Sequence, residues 1–135
     1  MVSIEFEYQG DLHCRAVHGP SGTVLNTDAP KDNQGRGESF SPTDLIATAL
    51  GSCMLTTMGI LARRLEVNLT GATATVEKEM ASAPFRTIGQ LTVRIRIPRE
   101  VSPEDRAKLE NAAHMCPVAK SLSPEVQIPT TFTWG

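Results

Sequence analysis

A chain of 135 residues is enough for one domain that buries roughly 68% of the surface its unfolded form exposes, so a core without disulfide staples is within reach. A net charge of −2 and a pI near 5.9 leave no basic footprint, and neither a nucleic-acid nor a membrane partner is expected. With aromatics at only 4%, the core has to be built from Ile, Val, Leu, Met and Ala.

At the N-terminus Val2, Ile4, Phe6 and Tyr8 alternate with Ser3, Glu5 and Glu7; after Gln9-Gly10-Asp11, Leu12, Cys14 and Ala16 alternate with His13, Arg15 and Val17. That period of two predicts an amphipathic β-hairpin, and the Ser21-Gly22 turn leads into a third strand over Thr23 to Thr27. An acidic, alternating start is the opposite of a basic n-region followed by an apolar block, which points to a cytoplasmic, reducing compartment. Asp28 to Phe40 has no apolar period and is rich in Gly, Asp and Asn, the composition of a functional or mobile loop.

Ser41-Pro42-Thr43-Asp44 then supplies an N-cap, a proline at the first helical position and an acid in the first turn, predicting a helix from Pro42 to about Leu65. Leu45 to Ala62 are 18 residues without a charge, at the lower limit for a membrane span, yet three Thr, one Ser and two Gly favour a buried core helix. Its polar stripe is only Thr48, Ser52 and Thr56, so it needs cover on nearly every side, and a second copy of the chain is a natural source of that cover. Beyond it, Val67 to Met80 and Ile88 to Ile97 read as paired strands, Ser102-Pro103 opens a helix to about Met115, Cys116-Pro117 restarts a short one, and Gln127 to Trp134 offers a last strand. The order βββ-α-ββ-αα-β gives an α+β fold of antiparallel sheets around a long central helix, with residues 1–135 as a single domain.

Three cysteines without a CxxC spacing do not make a disulfide framework, and in a reducing compartment they are free, metal-bound or redox-active. Pro117 suits the first position of a helix and places Cys116 at its N-cap, where backbone donors and the helix dipole favour thiolate; otherwise it is a small buried hydrophobe. Cys53 lies some twelve residues into its helix among Ala49, Leu50, Met54 and Leu55, beyond the reach of the dipole. Burial should oppose its ionisation, so it is either packing or it borrows a cation. Arg36, between Gly35 and Gly37, is the leading source of that charge. Cys14, within a strand, reads as packing. His13, His18 and His114 bring no second closely spaced ligand pair, so neither a metal nor a cofactor is expected, and P-loop, GxGxxG, HExxH and GxSxG patterns are missing.

Together, SPTDLIATALGSCML and AAHMCPVAKSL resemble the osmotically inducible protein C (OsmC) and organic hydroperoxide resistance (Ohr) family, in the central-helix and Cys-Pro motifs, in their order, and in the separation of 63 positions from one cysteine to the other. The likeness spans nearly the whole chain. It implies an intertwined homodimer and a thiol peroxidase: Cys53 is oxidised by an organic hydroperoxide to a sulfenic acid, Cys116 resolves it as a disulfide, Arg36 stabilises the thiolate, and a dithiol, lipoyl groups in the Ohr branch, restores the enzyme. Within that scheme Cys116, as the more acidic thiol, would also be the better leaving group on reduction. In the Ohr and OsmC branches an acid commonly follows the helix-start proline and pairs with the arginine; here that position is Thr43, and the pairing role falls to Asp44 or to Glu38. SPTDL, GRGES and CPVAKSL are similar to a less characterised OsmC-like branch. Two other functions remain open: a non-catalytic dimer that binds a small apolar or thiol ligand or senses redox state, and a metal-binding protein using His114 and Cys116.

Overall fold

The computed structural model describes residues 1–135, which divide into two compact units, Met1–Ile46 and Ala47–Gly135. The first unit is built on an antiparallel sheet of β1 (Ile4–Tyr8), β2 (His13–His18) and β3 (Val24–Asp28). Register sets Phe6 opposite Ala16 and Ala16 opposite Leu25, so Ile4, Phe6, Tyr8 and Leu25 share one face with Cys14 and Ala16. Within the chain this apolar face has little cover: Phe6 is 70% and Tyr8 65% exposed.

After β3 the chain makes a closed loop rather than a loose one. Asp28 N–H donates to Phe40 C=O at 3.1 Å and Gly37 N–H to Ala29 C=O at 3.2 Å, so the two limbs run side by side. Between them lies a short 3-10 turn, Lys31–Asn33. Gly35 is required here, because a Cβ on it would fall 1.8 Å from Ala29 O.

Helix α1 (Pro42–Arg64) begins where the sequence predicts, with a reciprocal cap: Asp44 N–H donates to Ser41 Oγ at 3.0 Å and Ser41 N–H to Asp44 Oδ2 at 2.9 Å. It is the one helix long and apolar enough to cross a membrane by length and composition, with a mean hydropathy of 1.8 over its best window. In the second unit Ala47, Leu50, Gly51, Met54, Met58 and Ala62 form its buried face, at helical spacing. Gly51 lets the helix lie close on the sheet, since a methyl there would stand 3.1 Å from Val76 Cγ2. Full burial of Leu50, Met54 and Met58 contributes about 1.5–3 kcal/mol each. Thr48, Ser52, Thr56 and Ile60 make an exposed stripe on the opposite side, so one chain does not supply the near-complete cover expected for this helix.

The sheet beneath contains β4 (Thr73–Ala81), β5 (Thr87–Ile97) and β6 (Thr130–Trp134), in that order. Leu91, Val93, Ile95 and Ile97 are buried while Arg94 and Arg96 are exposed, as their alternation demands. The pairing of β4 with β5 is antiparallel, but β5 pairs with β6 in parallel, which departs from the all-antiparallel expectation. The reason lies between them: α2 (Pro103–His114) and α3 (Pro117–Ser121) carry the chain back along the sheet as a helical crossover. Leu109 and Ala113 are buried, His114 packs edge-on to Phe132 and the Arg106 guanidinium lies over Trp134, tying α2 to β6. Strand β6 begins at Thr130 rather than Gln127 because Pro129 has no N–H for the ladder, leaving Gln127 an isolated bridge to Gln90. Strand β4 starts late because Glu66 and Gly71 have left-handed backbones that turn the chain before it.

Candidate functional site

Cys53 projects from the flank of α1, between the buried Met54 side and the exposed Ser52 stripe, and is half-buried. Its Sγ is 4.0 Å from Thr57 Oγ1, one turn on. Cys116 is the N-cap of α3 and completely buried; Ala119 N–H donates to its Sγ at 3.3 Å, and Pro117 occupies the first helical position. The fold brings these two thiols, 63 positions apart in the chain, near enough within the second unit for Cys53 to raise the pKa of Cys116. Both are free.

The cap chemistry read from Cys116-Pro117 is present, but it does not make Cys116 the acidic thiol. Burial pushes its pKa up, and the adjacent Cys53 sulfur pushes the same way, against the opposing pull of the Ala119 and Val118 N–H groups. Desolvation of a completely buried thiolate outweighs a short helix's donors. Cys116 is therefore held as the thiol, and the expectation that it is the better leaving group reverses, since a less acidic thiol leaves more slowly.

In the first unit Arg36 rides on the closed loop, with its guanidinium 4.0 Å from Asp11 Oδ2. These side chains are 52% and 87% exposed, and a surface contact of that kind contributes about 0–1 kcal/mol. Asp11, Leu12, Gln34 and Arg36 line a hollow of about 360 Å³. Of the two acids proposed for Arg36, the Asp44 carboxylate receives the Ser41 N–H of the helix cap, and Glu38 is exposed on the loop. Asp28 was not singled out by the sequence. It is 3% exposed, and His13 Nδ1 lies 2.6 Å from its Oδ1. The His13 hydrogen bond above all, with smaller contributions from the His13 charge, Glu38 N–H and Arg36, holds its carboxyl below the usual carboxylate range despite burial. The available signal was an acid ending β3 opposite a histidine that starts β2, which only strand register makes visible. Cys14 is half-buried in β2 between Tyr8 and Thr27, as ordinary packing requires. His114 is turned to Phe132.

Residues 35–131 match the family model of the OsmC-like proteins, a span that contains Arg36 and both cysteines of the pair. The chain belongs to the OsmC family. A provisionally named osmotic stress induced and detoxification response protein from Psychrobacter arcticus 273-4 shares 44% identity with it, covering 98% of this chain and 96% of that one, at a TM-score of 0.92. The fold also matches an organic hydroperoxide resistance protein OsmC from Legionella pneumophila, at 15% identity, 98% and 96% coverage and a TM-score of 0.81. OhrB of Bacillus subtilis matches at 16% identity, 98% coverage of both chains and a TM-score of 0.71. No curated protein matches the chain.

Proposed function

We propose that this OsmC family protein is a cytoplasmic thiol peroxidase that reduces organic hydroperoxides to alcohols. The observation that supports the reading is a completely buried Cys116 whose pKa is raised by burial and by the neighbouring Cys53. With Cys116 held as the thiol, Cys53 is the sulfur that attacks. Cys53 thiolate takes the terminal oxygen of the hydroperoxide: the S–O bond forms, the O–O bond breaks, and the departing alkoxide takes up a proton to become the alcohol. Cys116 then attacks the Cys53 sulfenic acid, forming the S–S bond and releasing water. A dithiol of the lipoyl class reduces that disulfide by exchange and becomes a disulfide itself, which closes the two-electron balance. The family resemblance gives Arg36 the role of stabilising the Cys53 thiolate.

The working unit in this reading is a homodimer of single-domain chains. Support comes from two uncovered surfaces, the Phe6 and Tyr8 face of the first sheet and the Thr56 and Ile60 side of α1. Consumption of cumene hydroperoxide in the presence of dihydrolipoamide tests the activity. Turnover is expected from the native chain and from neither single cysteine variant; a native rate equal to that of the Cys53→Ser/Cys116→Ser double variant would end the peroxidase reading.

A further inference from the structure

Three of the four residues other than glycine whose backbones are left-handed, Asp11 (φ 52°), Leu12 (φ 60°) and Gln34 (φ 66°), line one hollow of the first unit, and Arg36 completes its wall. Such a backbone is strained in a bulky residue like leucine, and strain of this kind collects where a ligand is held. Hydrogen bonds within the unit maintain it. Ala29 N–H donates to Leu12 C=O at 3.0 Å, joining the β1–β2 turn to the loop, while Leu12 N–H reaches Tyr8 Oη at 3.4 Å and Gly35 N–H closes the 3-10 turn on Pro30 C=O at 2.9 Å. The walls are therefore set before any ligand arrives. The volume, about 360 Å³, lies at the small end of the roughly 300–1,000 Å³ found for ligand pockets.

The two charges that line the hollow are uncommitted. Arg36 Nη2 stands 4.0 Å from Asp11 Oδ2, longer than a hydrogen bond, and neither side chain has a hydrogen bond to any other group. A plain anion at the Arg36 fork would meet the Asp11 carboxylate, and a plain cation at Asp11 would meet the guanidinium. A zwitterion satisfies both. We propose that this hollow binds a free α-amino acid with an apolar side chain. Its carboxylate takes the paired N–H donors of Arg36, its ammonium goes to Asp11, Gln34 supplies an amide for a further hydrogen bond, and its side chain lies on Leu12, which is 45% exposed. Arg36 and Asp11 are both more than half exposed, so water screens the two charged contacts and the expected Kd is about 1 mM. The proposal does not rest on any role of Arg36 toward Cys53.

The test is titration of the native protein with L-leucine, followed by the nuclear magnetic resonance signals of the backbone amides and the Arg36 Nε–H. Saturable shifts are expected at Asp11, Leu12, Gln34 and Arg36. Isocaproate, which lacks the ammonium, and isoamylamine, which lacks the carboxylate, should each bind about tenfold more weakly or worse. Arg36→Ala should weaken leucine by about tenfold as well. Asp11→Asn is the sharper variant, since asparagine accepts a left-handed backbone as aspartate does and the turn keeps its shape. In that variant leucine should weaken about tenfold while isocaproate tightens, because the repelling carboxylate is gone. A merely structural loss would weaken both ligands alike. Three results would each overturn the proposal: leucine shifts that do not saturate by about ten times the expected Kd, isocaproate binding the native chain as tightly as leucine, or an Asp11→Asn protein whose preference for leucine over isocaproate is unchanged.

Discussion

Replacing Cys116 by Ser and by Ala separates its two jobs, as a cap and as a redox thiol. Ala removes the acceptor for Ala119 N–H, and cap losses cost about 0.5–2 kcal/mol; a long sulfur contact of 3.3 Å puts this one near the lower end. Losing the buried sulfur adds on the order of 1 kcal/mol of apolar burial. The Ala variant should therefore lose about 1–2 kcal/mol in all. For a chain of 135 residues that lowers Tm by about 4–8 °C. Ser is a better N-cap than Cys, nearly its size and able to accept from Ala119 N–H, so Cys116→Ser should unfold within about 1 kcal/mol of the native chain. Both variants lack the resolving thiol. Urea unfolding gives the stability difference, and dimedone trapping with mass spectrometry after one equivalent of cumene hydroperoxide locates the sulfenic acid. Sulfenate should persist on Cys53 in both variants and appear nowhere in Cys53→Ser. Sulfenate on Cys116 in Cys53→Ser would reverse the assignment, and an Ala variant as stable as the Ser one would refute the cap.

Cys116 also links stability to pH. Native Cys116 retains its proton after the unfolded chain, with an ordinary value of 9.0, has lost it. Its contribution is thus full below pH 9 and declines as pH rises through the raised native value, an alkaline loss that unfolding curves should show in the native chain and find reduced in Cys116→Ser. Ser41→Ala removes one half of the reciprocal cap of α1 and should cost about 1–2 kcal/mol by thermal or urea unfolding, whereas a cost below about 0.3 would mean that the cap is idle. Phe6→Glu places a charge on the uncovered sheet face, and light scattering should move from twice the 14.6 kDa chain mass to one; a species unchanged in mass would remove that face from the dimer interface.

The elements of this chain were legible because their signals are local. Alternation from Leu91 to Ile97 gives a half-buried strand, Ser41-Pro42-Thr43-Asp44 gives a helix start, and Cys116-Pro117 gives another, each within one turn or a few residues. The Cys53 and Cys116 motifs were equally legible, together with the loop that carries Arg36. Where the reading failed, a distant segment had intervened. Strand β6 runs parallel because two helices intervene, which strand composition does not encode.

Sequence alone determined the order of the elements, the caps and the family motifs, since these depend on neighbours within about four residues. Tertiary structure decided the protonation of Cys116, the burial of the His13–Asp28 pair and the acid that meets Arg36. Desolvation and charge proximity sum over everything packed around a group, whatever its place in the chain. That is why a helix-start cysteine that local donors should acidify emerges as the buried, protonated partner of Cys53.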